Sequence, residues 1–162
     1  MMKKRLAHPN KGYTLIELLI VMAIMGILFT VGYLSFQDYS RRQTLLAAGR
    51  GVRVDIRTAI ESAIAGNKPA ACSNVLNGYQ FWITSATTYE IDALCSAGNV
   101  VVTRATIPTG ITLTASNPNP VVFKVLAQGT NIPMGTTATI LVKQTATGYT
   151  DTIRIGENGN VQ

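Results

Sequence analysis

The sequence has 162 residues, which is about the size of one domain. Hydrophobic residues make up 47% of it and charged residues only 14%, which excludes intrinsic disorder of the chain as a whole. The single histidine is His8 and the only cysteines are Cys72 and Cys95. This excludes a cysteine-based zinc site and leaves a histidine base only at the extreme N-terminus.

The net charge of +6 is concentrated at the N-terminus. Basic residues precede position 13 without any accompanying acid, so residues 13–162 carry only +2. The basic residues of this tip are Lys3, Lys4, Arg5 and Lys11. A basic chain often binds nucleic acid. Here the basic tip precedes an apolar segment, so the charge indicates membrane topology first.

Residues 18–37 form an apolar segment without any charge. A helix of this length rises ~30 Å, about the thickness of the hydrocarbon core of a bilayer. The positive-inside rule places residues 1–12 in the cytoplasm and the rest of the chain outside. An ordinary signal anchor or a secretory signal peptide has a similar profile. However, no small-x-small cleavage site closes the segment, and the helical pattern continues beyond it.

Glu17 stands at the cytoplasmic edge of the apolar segment. A carboxylate at the centre of a bilayer costs ~2.5 kcal/mol or more, so an acid in such a segment is a candidate functional residue. The alternative is an acid that reaches the hydrated interface, where it would cost little. Hydropathy alone does not decide between the two.

The residues around Glu17 resemble a known signal. Residues 11–20 read Lys-Gly-Tyr-Thr-Leu-Ile-Glu-Leu-Leu-Ile and closely resemble the type IV prepilin signal, in which an aromatic residue follows a basic leader that ends in Gly. The resemblance implies that a membrane prepilin peptidase removes the leader, residues 1–12, by cutting between Gly12 and Tyr13. The same enzyme would N-methylate Tyr13, which replaces the usual Phe. The chain is then the substrate of an enzyme.

The resemblance also implies a role for Glu17 in assembly. In a filament the apolar helices pack together and exclude water, so a carboxylate there is costly unless it is paired. Cleavage creates a charged amine at Tyr13, four residues away. We expect Glu17 to pair with that amine, either within the chain or on a neighbouring subunit. The resemblance favours the neighbouring subunit.

A helix is predicted to continue through residues 13–37, the transmembrane and assembly helix, into an amphipathic part over residues 38–68. Apolar residues recur there at spacings of three and four, and charged residues lie on another, solvated face. The apolar positions are Leu45, Gly49, Val52, Ile56, Ile60 and Ile64, and the charged ones are Arg50, Arg53, Arg57 and Glu61. Gly66 followed by Pro69 is typical of a helix end. The whole helix would span about 50 residues, or ~75 Å.

The hydrophobic period changes to two after residue 74, which predicts short strands. The candidate strands are residues 79–85, 88–94, 100–106, 111–115, 121–127, 138–145 and 150–155. No helix separates them, so their sheet should be antiparallel. Residues 69–162 are therefore predicted to form a β-rich globular domain. The fold class is α+β: a long N-terminal helix packed on an antiparallel sheet, which resembles the pilin fold.

Phe81 and Trp82 are neighbours within the first candidate strand, so one should face the helix and the other should face outward. We expect Trp82 in the core, because tryptophan is largely buried on average. An exposed tryptophan that contacts a partner is the alternative.

Two further stretches resemble the GspH/FimT group of minor pilins and pseudopilins: residues 52–64 at the helix end and residues 151–161 as a terminal hairpin. The resemblance implies a structural subunit of a type IV pilus or of a type II secretion pseudopilus. Its partners would be the prepilin peptidase and other pilin or pseudopilin subunits. The chain would cross the inner membrane once, with its C-terminal domain periplasmic or extracellular, before it enters the filament.

The alternative function is a pilus-associated subunit that binds DNA in natural transformation. The candidate DNA contacts are Arg104, Lys124, Lys143 and Arg154. The arginines of the helix are weaker candidates, since acids dilute them and no aromatic residue is interleaved among them.

Cys72 and Cys95 are predicted to form a disulfide, because the domain would face an oxidising compartment. The bond would tie the segment after the helix to the early part of the sheet. Two buried free thiols are the alternative.

No catalytic site, cofactor or metal is predicted. The mature chain lacks histidine, which disfavours a membrane-anchored enzyme. The acids Asp92, Asp151 and Glu157 do not have the spacing of a metal-binding loop.

Overall fold

The computed structural model describes residues 12–115 and 117–162. Of the predicted leader, only Gly12 falls within this part, and residues 1–11 lie outside it. The chain divides into two compact units, residues 1–39 and 40–162, and the first helix contributes to both.

Helix α1 runs over Leu15–Ile64, 50 residues, which confirms the long helix predicted from the sequence. Just past its end, the Gly66 N–H binds the Ala63 carbonyl oxygen at 3.1 Å and the Asn67 N–H binds the Ser62 carbonyl oxygen at 2.9 Å. Gly66 has a φ of +61°, which glycine adopts without steric cost. These bonds form a Schellman cap, so the glycine ends the helix in the way the sequence predicted.

Seven strands follow the helix within the residues that the structure describes. They are β1 (Leu76–Ile83), β2 (Thr88–Cys95), β3 (Gly98–Thr106), β4 (Ile111–Ala115), β5 (Val121–Lys124), β6 (Thr137–Gln144) and β7 (Thr150–Gly156). Each overlaps one predicted strand. The prediction for the fifth, residues 121–127, was too long, because Leu126 and Ala127 have positive φ and belong to a short 3-10 turn, Val125–Ala127.

The strands form two antiparallel sheets, where the sequence predicted one. The four-stranded sheet has the order β3-β2-β1-β5, and the three-stranded sheet has the order β4-β6-β7. β4 and β5 are consecutive in the chain but belong to different sheets. Pro118 and Pro120 lie between them, and proline has no N–H to donate to a strand ladder. The chain therefore leaves one sheet before it enters the other.

The core of the second unit lies between the C-terminal part of α1 and both sheets. The buried helix residues are Leu45, Ala48, Val52, Ile56, Ala59 and Ala63. The predicted apolar stripe is confirmed as far as Ile60, which is half-buried against the core, but is wrong at its last position, where Ile64 is 49% exposed. Ala59 and Ala63 are buried there instead, because small side chains let a helix lie close to a sheet.

Strand β1 buries Phe81 and exposes Trp82, so the expectation of a core tryptophan was wrong. Phe81 is 1% exposed, whereas Trp82 is 41% exposed. Successive side chains in a strand point to opposite faces, so a buried Phe81 turns Trp82 outward. The alternation was correct, but the assignment of the faces was not.

A disulfide joins Cys72 to Cys95, as predicted. The two residues are buried and their Cα atoms are 5.7 Å apart. Cys72 lies between α1 and β1, and Cys95 is the last residue of β2. The bond therefore ties the segment after the helix to the four-stranded sheet.

Polar contacts join α1 to both sheets. Arg53, which was expected on a solvated face, instead donates from Nη1 and Nη2 to the Asp151 carboxylate of β7 at 2.8 and 2.9 Å. The Tyr89 hydroxyl of β2 donates to Asp55 Oδ2 at 2.5 Å. Gly49 makes room for the first contact, since a Cβ at this position would overlap the Asp151 carboxylate.

These contacts shift two pKa values. The hydrogen bond from Arg53 to Asp151 raises the pKa of the guanidinium. Burial, and then the hydrogen bond to Asp55, raise the pKa of the Tyr89 hydroxyl well above its usual value. Arg53 is therefore charged and Tyr89 neutral throughout the physiological range.

Candidate processing and assembly site

The residues of the predicted cleavage site lie directly before α1. Gly12, Tyr13 and Thr14 are exposed, and none of them is helical. An exposed segment outside regular structure is accessible to a protease. The local structure is therefore compatible with cleavage after Gly12, which stays a prediction.

Thr14 caps the helix. Its Oγ1 accepts a hydrogen bond from the Glu17 N–H at 3.3 Å, and its carbonyl oxygen accepts one from the Leu18 N–H at 3.2 Å. The spacing Thr-x-x-Glu is that of a capping box. The sequence analysis missed this role of Thr14, although the spacing indicates it.

Glu17 is exposed in the first turn of α1. An acid at this position is stabilised by the positive end of the helix dipole. Tyr13 and Glu17 line one hollow on the helix surface together with Leu18 and Val21. The structure therefore brings together the two residues for which the sequence predicts a pairing, while the pairing itself stays a prediction.

The part of α1 in the first unit exposes apolar side chains around its whole circumference. The large exposed side chains of its middle turns include Met22, Ile24, Met25, Leu28 and Phe29. Among the described residues, α1 is the one helix that is long and apolar enough to cross a membrane, judged by length and composition. A helix that is apolar all round is normally covered by lipid or by other helices.

A second hollow surrounds Gly32 on the same helix. Met25, Leu28, Phe29, Tyr33 and Phe36 line it. A gap between large side chains accepts a side chain from a second helix, and glycine allows the two backbones to approach closely. The hollow thus has the form of a helix-packing site.

The candidate DNA contacts lie on two different sheets. Arg104 of β3 and Lys124 of β5 are exposed on the four-stranded sheet, and Lys143 of β6 and Arg154 of β7 are exposed on the three-stranded sheet. Arg104 Nε donates to Glu90 Oε1 at 2.7 Å, so this guanidinium already has an anionic partner. Arg104 and Lys124 lie on the two opposite edge strands of their sheet, and the strand register sets Lys143 and Arg154 four positions apart, so the four residues are dispersed over the domain.

The three acids considered for a metal-binding loop, Asp92, Asp151 and Glu157, have separate partners. Asp151 pairs with Arg53, Asp92 accepts a hydrogen bond from Gln80, and Glu157 accepts one from a backbone N–H. Within residues 12–115 and 117–162, no three His, Cys, Asp or Glu side chains are grouped so that they could hold a metal ion.

Comparison with known proteins points to one class. Residues 8–33 match the family model described as the prokaryotic N-terminal methylation motif. The chain is similar to a fimbrial protein of Pseudomonas aeruginosa, with 44% identity over 64 residues, or 40% of this chain and 41% of the relative. It is similar to the type IV major alpha-pilin of Moraxella bovis, with 40% identity over 72 residues and 41% of each chain covered.

A third relative is the type IV major fimbrial protein FimA of Dichelobacter nodosus, with 38% identity over 76 residues, or 43% of this chain and 48% of the relative. The chain thus matches less than half the length of each of these relatives. No solved structure matches it. The methylation motif, the pilin relatives and the long helix packed on antiparallel sheets together support a type IV prepilin-like protein.

Proposed function

We propose that the chain is a structural subunit of a type IV pilus or of a type II secretion pseudopilus. The observation that carries the proposal is the exposed apolar helix of the first unit, which begins directly after the prepilin motif. In water this surface is unfavourable, and assembly with the same helix of other subunits would bury it. Relatives named as fimbrial proteins and pilins support a role in a filament.

Processing precedes assembly in this proposal. Prepilin peptidase removes residues 1–12 on the cytoplasmic face of the inner membrane, between Gly12 and Tyr13, and methylates the new amine of Tyr13. The motif match and the exposure of these residues support this step. The C-terminal domain then lies outside the cytoplasm, where an oxidising compartment is compatible with the disulfide.

Glu17 is the proposed assembly residue. Cleavage leaves it four residues from a positively charged amine, and Tyr13 and Glu17 share one hollow of the helix surface. In a bundle of apolar helices, a carboxylate is stable only with a cationic partner. Pairing with the Tyr13 amine of a neighbouring subunit would fix how far one subunit is displaced along the next.

We further propose a minor pilin or pseudopilin. Support comes from the resemblance of residues 52–64 and 151–161 to the GspH/FimT group. The second stretch folds as a hairpin: across the turn that follows β7, the Gly156 N–H donates to the Asn160 carbonyl oxygen at 3.0 Å, and Arg154 exchanges two backbone hydrogen bonds of 2.9 and 3.0 Å with Gln162.

The DNA-binding alternative has less support. A DNA backbone is bound by several cations along one path. The four candidate residues are instead distributed over two sheets, and Arg104 is paired with Glu90. The alternative stays a prediction, and its test is described below.

The test of the proposed function is the fate of the full-length chain in a piliated bacterium, compared with an isogenic strain without prepilin peptidase. We expect mass spectrometry to show a chain that begins with singly methylated Tyr13 in sheared, purified filaments of the first strain. In the second strain the unprocessed chain should remain in the membrane. Gly12→Val should behave like the loss of the peptidase. A chain that is processed normally but never enters filaments would contradict the structural role.

A further inference from the structure

The four-stranded sheet has a face that points away from α1 and carries polar groups that are unusually buried. Gln80 and Trp82 of β1 and Glu90 and Asp92 of β2 alternate with core residues and so share this outward face. The strand register places Trp82 opposite Glu90 and Gln80 opposite Asp92. Gln80, Glu90 and Asp92 are buried on this outward face, although it is opposite the core.

The two carboxylates of the outward face differ in their partners. Glu90 accepts a hydrogen bond from the Arg104 guanidinium at 2.7 Å, which neutralises its charge. Asp92 is only 3% exposed, and its Oδ2 accepts a hydrogen bond of 2.6 Å from the neutral amide of Gln80. Its Oδ1 has no hydrogen-bond partner among residues 12–115 and 117–162. A buried carboxylate without a cation is costly, so this position favours a positive charge supplied from outside.

Trp82 also favours a cation, and it lies at the surface. It lies diagonally across the strand pair from Asp92 and exposes 41% of its area. The face of an indole ring attracts lysine and arginine cations, and tryptophan is enriched among residues that dominate protein interfaces. A single cationic side chain over Trp82 would therefore also lie in the field of Asp92.

We propose that the outward face is an inter-subunit contact in which the exposed Trp82 receives an arginine or lysine side chain of a neighbouring pilin subunit, and the buried Asp92 attracts that cation without touching it. The inference rests on the proposed function, because it takes the neighbour to be a filament subunit. The charge on the face selects this occupant: a cationic side chain compensates Asp92, whereas the phosphates of a nucleic acid would be repelled by it.

The test places a photo-crosslinking aromatic amino acid, p-benzoylphenylalanine, at position 82 of the full-length chain in the piliated host. After irradiation of sheared filaments, we expect an adduct between two pilin subunits, mapped by mass spectrometry to within a few residues of a lysine or arginine. Asp92→Asn keeps the shape of the side chain and removes its charge, and it should lower the adduct yield at least three-fold. Replacing the mapped basic residue by Gln should lower the yield equally. This substitution leaves Asp92 unchanged, so its effect cannot come from a folding defect that Asp92→Asn causes.

The matched control carries the same photo-crosslinker at Tyr149, another exposed aromatic residue of the domain. Its adduct yield should not change with Asp92→Asn. A yield at position 82 that is independent of Asp92, a crosslink to a non-basic segment or to DNA, or the absence of any adduct in filaments that contain the chain would overturn the inference alone. Absence of the chain from filaments would overturn the proposed function and this inference with it.

Discussion

At the scale of single residues, the contact between helix and three-stranded sheet depends on a residue without a side chain. Gly49 lies against the Asp151 carboxylate, and Asp151 in turn receives both terminal nitrogens of Arg53. Arg53 Nη2 also donates to the Thr152 carbonyl oxygen at 3.1 Å. The guanidinium therefore binds both a side chain and the backbone of β7, and this arrangement leaves no space for a methyl group at position 49.

Gly49→Ala should therefore destabilise the second unit. The added methyl would displace Asp151 and weaken its bonds to Arg53, and overpacking of this kind costs about 1–3 kcal/mol. Urea unfolding of residues 40–162 measures the change. Gly51→Ala is the control, because Gly51 is exposed on the same helix with open space around it, and alanine there should stabilise the helix by up to about 1 kcal/mol. Equal effects of the two substitutions would contradict the packing argument.

Tyr89 gives the stability of the second unit a dependence on alkaline pH. Its pKa is raised in the folded state, so the folded chain holds this proton more tightly than the unfolded chain does. The stabilisation that the protonated Tyr89 hydroxyl gives to the folded state is complete below the unfolded pKa of about 10. It is lost as the pH rises from there through the folded pKa.

Tyr89→Phe should therefore flatten the fall in unfolding free energy above pH 10. At pH 7 it should cost about 1 kcal/mol, because the bond to Asp55 is lost. Urea titrations between pH 7 and pH 11 provide the measurement. A substitution that lowers stability at pH 7 but leaves the alkaline slope unchanged would show that the hydroxyl does not account for the pH dependence.

The residues that sequence reasoning placed incorrectly share a physical cause. The period of two put Phe81 and Trp82 on opposite faces, but residue type alone did not decide which face was buried. The spacing puts Arg53 on the charged side of the helix. Its partner Asp151 belongs to β7, about a hundred positions later in the chain. Spacing along the chain determines local neighbours, whereas such pairs depend on the tertiary fold.

At the scale of secondary-structure elements, local sequence signals predicted more of the structure than they did for individual side chains. The extent of α1, its end before Gly66 and the existence of all seven strands follow from periodicity and from turn residues. The division of the strands into two sheets did not follow, because each strand has the same local pattern in either sheet. The choice is made by long-range pairs such as Phe81 with Val121 and Ile111 with Gln144.

The disulfide links two of these elements, and its removal should destabilise the second unit. It closes a loop with a sequence separation of 23, for which loop entropy predicts about 3 kcal/mol. Cys72→Ala combined with Cys95→Ala should lower the unfolding free energy by this order, measured against the oxidised parent in urea. Thiol counting on the unfolded, non-reduced parent should find no reactive thiol. Two reactive thiols would show that the bond is absent from the protein in solution.

At the scale of the whole molecule, the two units differ in the surface that they offer. The first unit is an apolar helix with exposed side chains, and the second has a core of its own and a mainly polar exterior. A neighbour in a filament would therefore cover the first unit by apolar contact and would meet the second through polar contacts such as the outward face.

Binding of DNA should be weak under this view. We expect the chain in detergent micelles to bind double-stranded DNA without sequence preference and with an affinity that falls steeply with salt, because the basic residues are few and dispersed. Fluorescence anisotropy at several salt concentrations provides the measurement. Micromolar binding at physiological salt that disappears with Arg104→Ala, Lys124→Ala, Lys143→Ala or Arg154→Ala would support the DNA-binding alternative instead.

Glu17 provides the sharpest test of assembly. Before assembly it lies in the first, exposed turn of α1, next to the capping residue Thr14, where a carboxylate is stabilised by the helix dipole and by water. In the proposed filament the water would be displaced and the carboxylate would need a cation, for which we propose the amine that cleavage would create on Tyr13. Glu17→Val removes the need for a partner but also removes the attraction that would set the stagger between subunits.

Glu17→Val should therefore leave membrane insertion and cleavage after Gly12 intact, while incorporation into filaments falls at least ten-fold. Quantitative immunoblots of membrane and sheared-filament fractions measure both steps. Glu17→Asp, which keeps the charge on a shorter side chain, should restore part of the incorporation, whereas Glu17→Gln, which keeps the length without the charge, should not. The acid is also the fourth residue of the capping box, so helix content of each variant is checked by circular dichroism in micelles. Recovery of Glu17→Val in filaments at the parental level would refute the pairing, because an apolar residue would then serve the interface equally well.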